Sequence, residues 1–216
     1  MNRIVARSPW VQIWGGVKVD LHAPEIKSLY PLVRSIAGIR RFAGHTTFPI
    51  WVTVHSVAVA RMVSPAAAPY ALLHDLHEGV IGDIPTPVKE ALGPYGRSAL
   101  KLVTDRLDAA IWRCAGLEPP TQDILDEVKR ADLMALLMEA RDAMHAPPEP
   151  WGLHCDALPA HKYELMADCE GLALFVEAAE EMLPHNVAQS IATDALADLH
   201  AWGCGGLPDA GADVAP

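Results

Sequence analysis

The stretch ALLHDLHEGVIGDIPTPVKEAL, residues 71–92, sets the strictest condition on how this chain can fold. His74, Asp75, His77 and Glu78 fall within five positions of an otherwise apolar run, and Asp83 follows just before Pro85. Moving an ion out of water costs several kcal/mol unless a partner offsets it. The fold must therefore bring partners to this run, and a divalent cation is the economical one for clustered imidazoles and carboxylates. On an α-helical wheel of about 100° per residue with His74 at zero, Glu78 lies at about 40° and Asp75 at about 100°. Three ionisable groups then share one sector, close to Ala71 and Ile81.

A metal held here needs ligands from other segments. In WVTVHSVAVARM the inward stripe reads Trp51, His55, Ala58, Val59 and Met62, so the His55 imidazole belongs to the core side. In DILDEVKRADLMALLMEARDAM the stripe Leu125, Val128, Asp132, Leu136 puts a carboxylate where leucine is expected. Taken singly, His55 reads as a core imidazole bonded to a carbonyl, and Asp132 as a cap or a bridge between helices. Taken together, two His and two Asp on three helices make a mixed nitrogen and oxygen set suited to a hard or borderline divalent ion, Zn, Co, Mn or Mg.

The rest of the chain bounds the fold. VQIWGGVKVDL, 11–21, alternates around Gly15-Gly16 and predicts a small N-terminal β-hairpin. Beyond Pro24 the periodicity is helical, over 25–39, 49–63, 66–81, 86–92, 97–116, 122–144, 161–183 and 187–202, which gives a mainly α chain. Residues 1–202 read as one domain, 145–161 as a proline-rich surface loop folded over something or a partner contact, and 203–216 as a flexible tail. The apolar helix 171–183 fits either the core or a subunit interface, and a homo-oligomer is expected. A formal charge of −10 excludes stable nucleic-acid binding and adhesion to anionic membranes. No apolar run spans a membrane, and MNRIVARSPW, broken by Pro9, reads as mature protein. Cys114, Cys155, Cys169 and Cys204 lie far apart and read as buried free thiols in a reducing cytoplasm.

His55, the pair His74-Asp75 and the distant Asp132 reproduce the H…HD…D pattern of the HD-domain metal-dependent phosphohydrolases. Within that superfamily HDLHEGVIGDIPTPVK resembles the HDxxE…GDxPTPVK run of the 5′-deoxynucleotidase branch. It is similar also to related phage enzymes that hydrolyse deoxynucleoside triphosphates, dATP in particular. RRFAGHTTF and VKRADLMALLMEARD look like the same branch, so the resemblance covers roughly residues 10–145. It implies an HD-type helical bundle in which His55, His74, Asp75 and Asp132 ligate the metal. Glu78 then acts on the attacking water or its proton, and Asp83 of the GDxP run lies near the sugar and supports the reaction.

The same resemblance implies substrate contacts. Arg41 and Lys89 are phosphate clamps, the first as a bidentate fork and the second as a point charge. Phe42 stands where the branch has a tryptophan, and Val54 where it has a Glu, so the base and sugar contacts depart from the pattern. His45 is a candidate for reaching a phosphate, against a loop hydrogen bond, and His77 for assisting a second metal or touching a phosphate, against a partly exposed helix position. For Asp83 the competing reading is an N-cap of the helix opened by PTPVKEAL, a role Thr86 shares. The short interval from His55 to His74 is that of the compact phage-like group. The expected activity is therefore a deoxynucleotide phosphohydrolase, acting on dATP as a triphosphohydrolase or on a monophosphate as a 5′-deoxynucleotidase. An HD-type phosphodiesterase or alarmone hydrolase, and a non-catalytic nucleotide-binding helical protein, are the alternatives.

Overall fold

Residues 8–153, 158–163 and 166–201 are described by the computed structural model of the chain. Two strands, β1 (Trp10–Ile13) and β2 (Val17–Asp20), pair antiparallel with Trp10 opposite Asp20 and Ile13 opposite Val17. The turn between them needs φ of 72° at Gly15 and 75° at Gly16, a left-handed backbone that glycine adopts without a Cβ penalty. The hairpin expected around Gly15-Gly16 is present, and the remainder is helical.

The helices are α1 (Tyr30–Ile36), α2 (Val52–Ala60), α3 (Ala68–Leu73), α4 (Glu78–Ile81), α5 (Thr86–Ala91), α6 (Gly93–Cys114), α7 (Gln122–Ala143), α8 (Asp168–Met182) and α9 (His185–Ala201). Several begin or end inside the ranges that periodicity predicts, for local reasons. Expected from residue 25, α1 starts only at Tyr30, because the Asp20 carboxylate accepts from the backbone N–H groups of His22 and Ala23 and fixes a non-helical turn. Pro31 then occupies the first turn, where a missing N–H is tolerated. By contrast α7 starts as expected, with the Thr121 side chain accepting from the Ile124 N–H. The helix expected from 161 begins at Asp168, where the Glu170 carboxylate accepts from the Ala167 N–H at 2.8 Å.

At the centre lies α2, packed against α3, α7 and α8. Val52, Thr53, Val54, His55, Ser56, Val57, Val59 and Ala60 are all buried, so the helix is enclosed on every face rather than along one stripe. Gly171 of α8 permits the close approach, since a Cβ there would lie 2.8 Å from Thr53 Oγ1 and 3.0 Å from Val54 Cγ2. The second reading of 171–183, as an interface, gives way to the first: Leu172, Phe175, Val176, Ala178, Ala179 and Leu183 are core residues. One cluster of buried side chains runs from Ile13 in the hairpin to Leu199 in α9, and a smaller one gathers Ile50, Trp51, Val54, Met138, Ala143 and Tyr163.

The helix predicted over 66–81 is broken, and this correction bears directly on the site. After Leu73 the chain passes through a turn at 74–77 before α4. Hydrogen bonds from Leu76 N–H to Leu73, Glu78 to Asp75 and Gly79 to Leu76 span three residues, the 3-10 spacing. At three residues per turn Glu78 stands over Asp75 rather than beside His74 as an α-helical wheel places it. Gly79 lets this tight segment lie on α1, because a Cβ would meet Leu32 O at 3.0 Å and Leu32 Cα at 3.2 Å. Gly79→Ala is expected to lower stability by about 1–3 kcal/mol in denaturant unfolding, because backbone atoms give way poorly.

The described parts of 145–161 are tied back onto the end of α7. Arg141 donates to the carbonyls of Pro159 at 2.7 Å and His161 at 2.8 Å, and Asp142 accepts from the Tyr163 N–H at 2.7 Å. The expected tail, 203–216, lies outside the described residues. Cys114 is half-buried and free, with its thiol pushed up by burial. The side chains of Cys155, Cys169 and Cys204 lie outside the description. Among the described residues no helix is long and apolar enough to cross a membrane.

Candidate metal centre

Four of the expected residues meet around one point. His55 is fully buried on α2, while His74 and Asp75 come from the turn after α3 and Asp132 from α7. His55 Nε2 lies 3.1 Å from Asp132 Oδ1 and 3.5 Å from Asp75 Oδ2, and His74 Nε2 lies 3.2 Å from Asp75 Oδ2. His55, His74 and Asp75 form the compact part, with ligand atoms all within 4.8 Å of one another. Asp132 attaches to it through His55, and its side chain remains 42% exposed at the mouth of the site.

The hydrogen bonds on the far side of each imidazole decide what the near side can do. His55 Nδ1 is 2.7 Å from Glu139 Oε1, and His74 Nδ1 is 2.7 Å from the Ala71 carbonyl. Both acceptors can take only a proton, so each Nδ1 carries N–H and each Nε2 is left to bind an ion or, without one, a second proton. The two Nε2 atoms are buried without a hydrogen-bond partner and point at carboxylate oxygens. Lone pairs that face lone pairs need a cation between them, and a ring N–H given to a carboxylate or carbonyl is the usual support of a metal-ligating His. The donor set therefore fits a divalent ion.

Without such an ion, protons take its place. Burial would lower the His74 imidazole, but the adjacent Asp75 carboxylate outweighs this and lifts it to about 9. Burial and Arg41 would lower His55, yet Glu139 and Asp132 carry it above its ordinary value. Against the pull of burial, His74, His55 and Arg41 hold Asp75 well below the usual carboxylate range. Glu78 is 4% exposed, with Oε2 lacking a partner; burial, then Asp75 and Asp83, push its carboxyl up to about 9. Asp83 is also raised, again chiefly by burial.

These shifts fix the sign of a pH dependence. Both Glu78 and His74 hold protons in the folded, metal-free chain that the unfolded chain releases near 4.5 and 6.5. Their contribution is fully present below those values and is lost as pH rises toward about 9. Asp75, lowered from 3.8, acts in the opposite sense, but only at acid pH outside this window. The chelated protein is expected to lose melting temperature steadily from pH 6 to pH 9, and Glu78→Gln to flatten that slope; thermal melts across the range check both.

Glu139 is a member of this cluster that the sequence reading missed. It is completely buried and bridges His55 Nδ1 to Arg41 Nε, the latter at 2.9 Å. Two turns of α7 separate it from Asp132, so a carboxylate seven residues on along the same face was the available signal. Arg41, 8% exposed, also places Nη1 3.4 Å from Asp75 Oδ2, which ties its guanidinium into the cluster rather than leaving it free at the mouth.

His77 and Glu78 share a second compact group with Asp75, their ligand atoms all within 4.8 Å of one another, and the remaining expected residues lie further out. Phe42 and Ala43 adopt φ of 56° and 51°, rare for residues with a side chain, in the turn directly after Arg41. The Phe42 ring packs 6.3 Å from Trp151, and His45 is exposed at the end of the same turn. His77 turns toward α6, where its Nδ1 lies 2.9 Å from Asp108, a second partner unforeseen in the sequence. Lys89 lines a cavity with His77 and Glu78. Asp83 does not cap α5: the N-cap residue is Pro85, with no side-chain cap hydrogen bond, so Thr86 does not cap it either.

No family model matches the chain. Over 143 residues it is 31% identical to Uncharacterized protein RCAP_rcc00048 of Rhodobacter capsulatus, covering 61% of this chain and 71% of that protein. The two belong to one family. Over 108 residues the chain is also 38% identical to Uncharacterized protein YfdR of Escherichia coli K12, covering 50% of this chain and 56% of YfdR. It thus spans little more than half the length of that relative.

Proposed function

We propose that the protein is a metal-dependent phosphohydrolase acting on deoxynucleotides, of the HD type, working in the cytoplasm. The observation that carries this reading is the pair of buried Nε2 atoms on His55 and His74, aimed at Asp75 and Asp132, with the buried carboxyl of Glu78 alongside. His55, His74, Asp75 and Asp132 would hold the ion. A divalent cation there supplies positive charge that polarises a phosphoryl oxygen and acidifies a water.

The chain's own residues divide the remaining work. Glu139 and the Ala71 carbonyl fix the tautomer and ring direction of the two imidazoles. Glu78 holds a proton in the metal-free chain, its carboxyl lifted to about 9 by burial; the positive charge of a bound cation would lower it, so that the carboxylate could take the proton of an attacking water and pass it on. Asp83, half-buried, lies close enough to Glu78 to raise its carboxyl, so the two acids share one electrostatic environment. Glu78 also separates catalysis from mere structural metal binding, since the two imidazoles already have Asp75 and Asp132 as partners.

The test is phosphate release from a panel of nucleoside mono-, di- and triphosphates with Mn, Co, Mg and Zn, and again after chelation. Deoxynucleotide turnover that disappears with chelator and returns with metal is the expected result. Turnover of bis(p-nitrophenyl) phosphate or a cyclic dinucleotide with none of any nucleotide would overturn it.

A further inference from the structure

We propose that the cavity between α4, α5 and the N-terminal half of α6 receives the distal phosphates of a nucleoside triphosphate, with Arg97 as the residue that grips them. This deepens the phosphohydrolase reading and rests on it. The cavity has a volume of about 340 Å³. Small-molecule sites run from about 300 to 1,000 Å³, so this one suits a phosphate tail better than an entire nucleotide.

Its position and its charge both point to an anion. Its lining includes His77 and Glu78, whose ligand atoms lie beside Asp75 of the metal centre, together with Lys89, Arg97 and Lys101. Three cations on one cavity run against a chain whose formal charge is −10. Lys101 is paired with Asp105 at 2.6 and 2.8 Å and so adds little net charge. Among the described residues neither Lys89 nor Arg97 has a carboxylate within salt-bridge distance. Arg97 offers a planar fork suited to phosphate oxygens.

The centre itself would repel such a tail on its other sides. Asp75, Asp132 and Glu139 crowd around it, and the Arg41 guanidinium is already bonded to Glu139 and Asp75, while Asp83 lies between the cavity-lining Gly82 and Ile84 and near enough to Lys89 to feel its charge. A monophosphate needs only the metal. A cationic wall beyond Glu78 gains a purpose when further phosphates extend past the one being attacked.

Two measurements test this on the full-length protein. The first compares kcat/KM for the mono- and triphosphate of one deoxynucleoside in wild type, Arg97→Ser and Arg97→Lys. The second is calorimetric binding of inorganic tripolyphosphate to the chelated protein at fixed ionic strength. Loss of one charged hydrogen-bonding partner is expected to lower the triphosphate kcat/KM by about tenfold or more, mainly through KM. The monophosphate value should stay within about twofold, tripolyphosphate should bind about tenfold more weakly, and Arg97→Lys should recover part of both.

Equal losses for the two substrates, altered base preference without a difference between them, or tripolyphosphate binding indifferent to Arg97 would overturn the assignment and leave the hydrolase reading standing. Arg97-dependent tripolyphosphate binding in a protein that hydrolyses no nucleotide would support the cavity and remove the hydrolase reading instead.

Discussion

Under the proposed hydrolase reading, Glu78→Gln is expected to bind divalent metal about as tightly as the wild type and to turn over deoxynucleotides at least ~100-fold more slowly. The expectation follows from where Glu78 stands. Its carboxyl is buried, among the described residues its Oε2 has no hydrogen-bond partner, and it lies outside the His55, His74, Asp75 set, in a second compact group with Asp75 and His77. Glutamine keeps the volume and the polarity, so packing and the ion's ligands persist while the proton acceptor is lost. A buried carboxyl lifted to about 9 by its surroundings is a proton-holding group awaiting a nearby positive charge. Metal content by elemental analysis together with steady-state turnover separates the two effects. Should the variant keep its rate, Glu78 carries no proton and the mechanism is wrong; should it lose its metal, Glu78 is a ligand.

Glu139→Ala produces the largest loss of stability expected of any single change here, about 3–5 kcal/mol. The carboxylate is wholly buried and is the acceptor for both His55 Nδ1–H and Arg41 Nε–H. Removing it leaves a guanidinium that is 8% exposed with only the longer 3.4 Å contact to Asp75. An uncompensated buried charge costs more than the bridge itself contributes, which is why deleting one partner is so much worse than replacing both.

The same change releases the His55 ring from its tautomer, and metal affinity should fall by about 10–100-fold. Glu139→Gln, which keeps one acceptor oxygen, should lose less on both counts. Chemical denaturation and metal titration read the two outcomes independently. A stability change under about 1 kcal/mol would mean that water replaces the carboxylate and that the cluster is less enclosed than its burial indicates.

Local patterning in the sequence determined the helical class, the hairpin at Gly15-Gly16 and most helix ranges, because periodicity, Pro and Gly act over a few residues. It also marked His55, His74, Asp75 and Asp132, since an ionisable group on an apolar stripe is conspicuous wherever it occurs. The proposed function rests on these residues. Only the tertiary structure decided who partners whom. Glu139 meets Arg41 across 98 residues and His55 across 84, and Asp108 meets His77 across 31. No helical wheel contains such contacts.

The break after Leu73 was hidden for the same reason: Gly79 lying against the Leu32 backbone is a constraint from α1, and it tightens a segment whose own sequence reads as continuous helix. Arg41 looked like a free clamp because its charge is visible in the sequence while its burial is not. Sequence supplies the chemistry of each side chain and its local frame; desolvation and long-range pairing, which set how that chemistry behaves, exist only once the helices have packed.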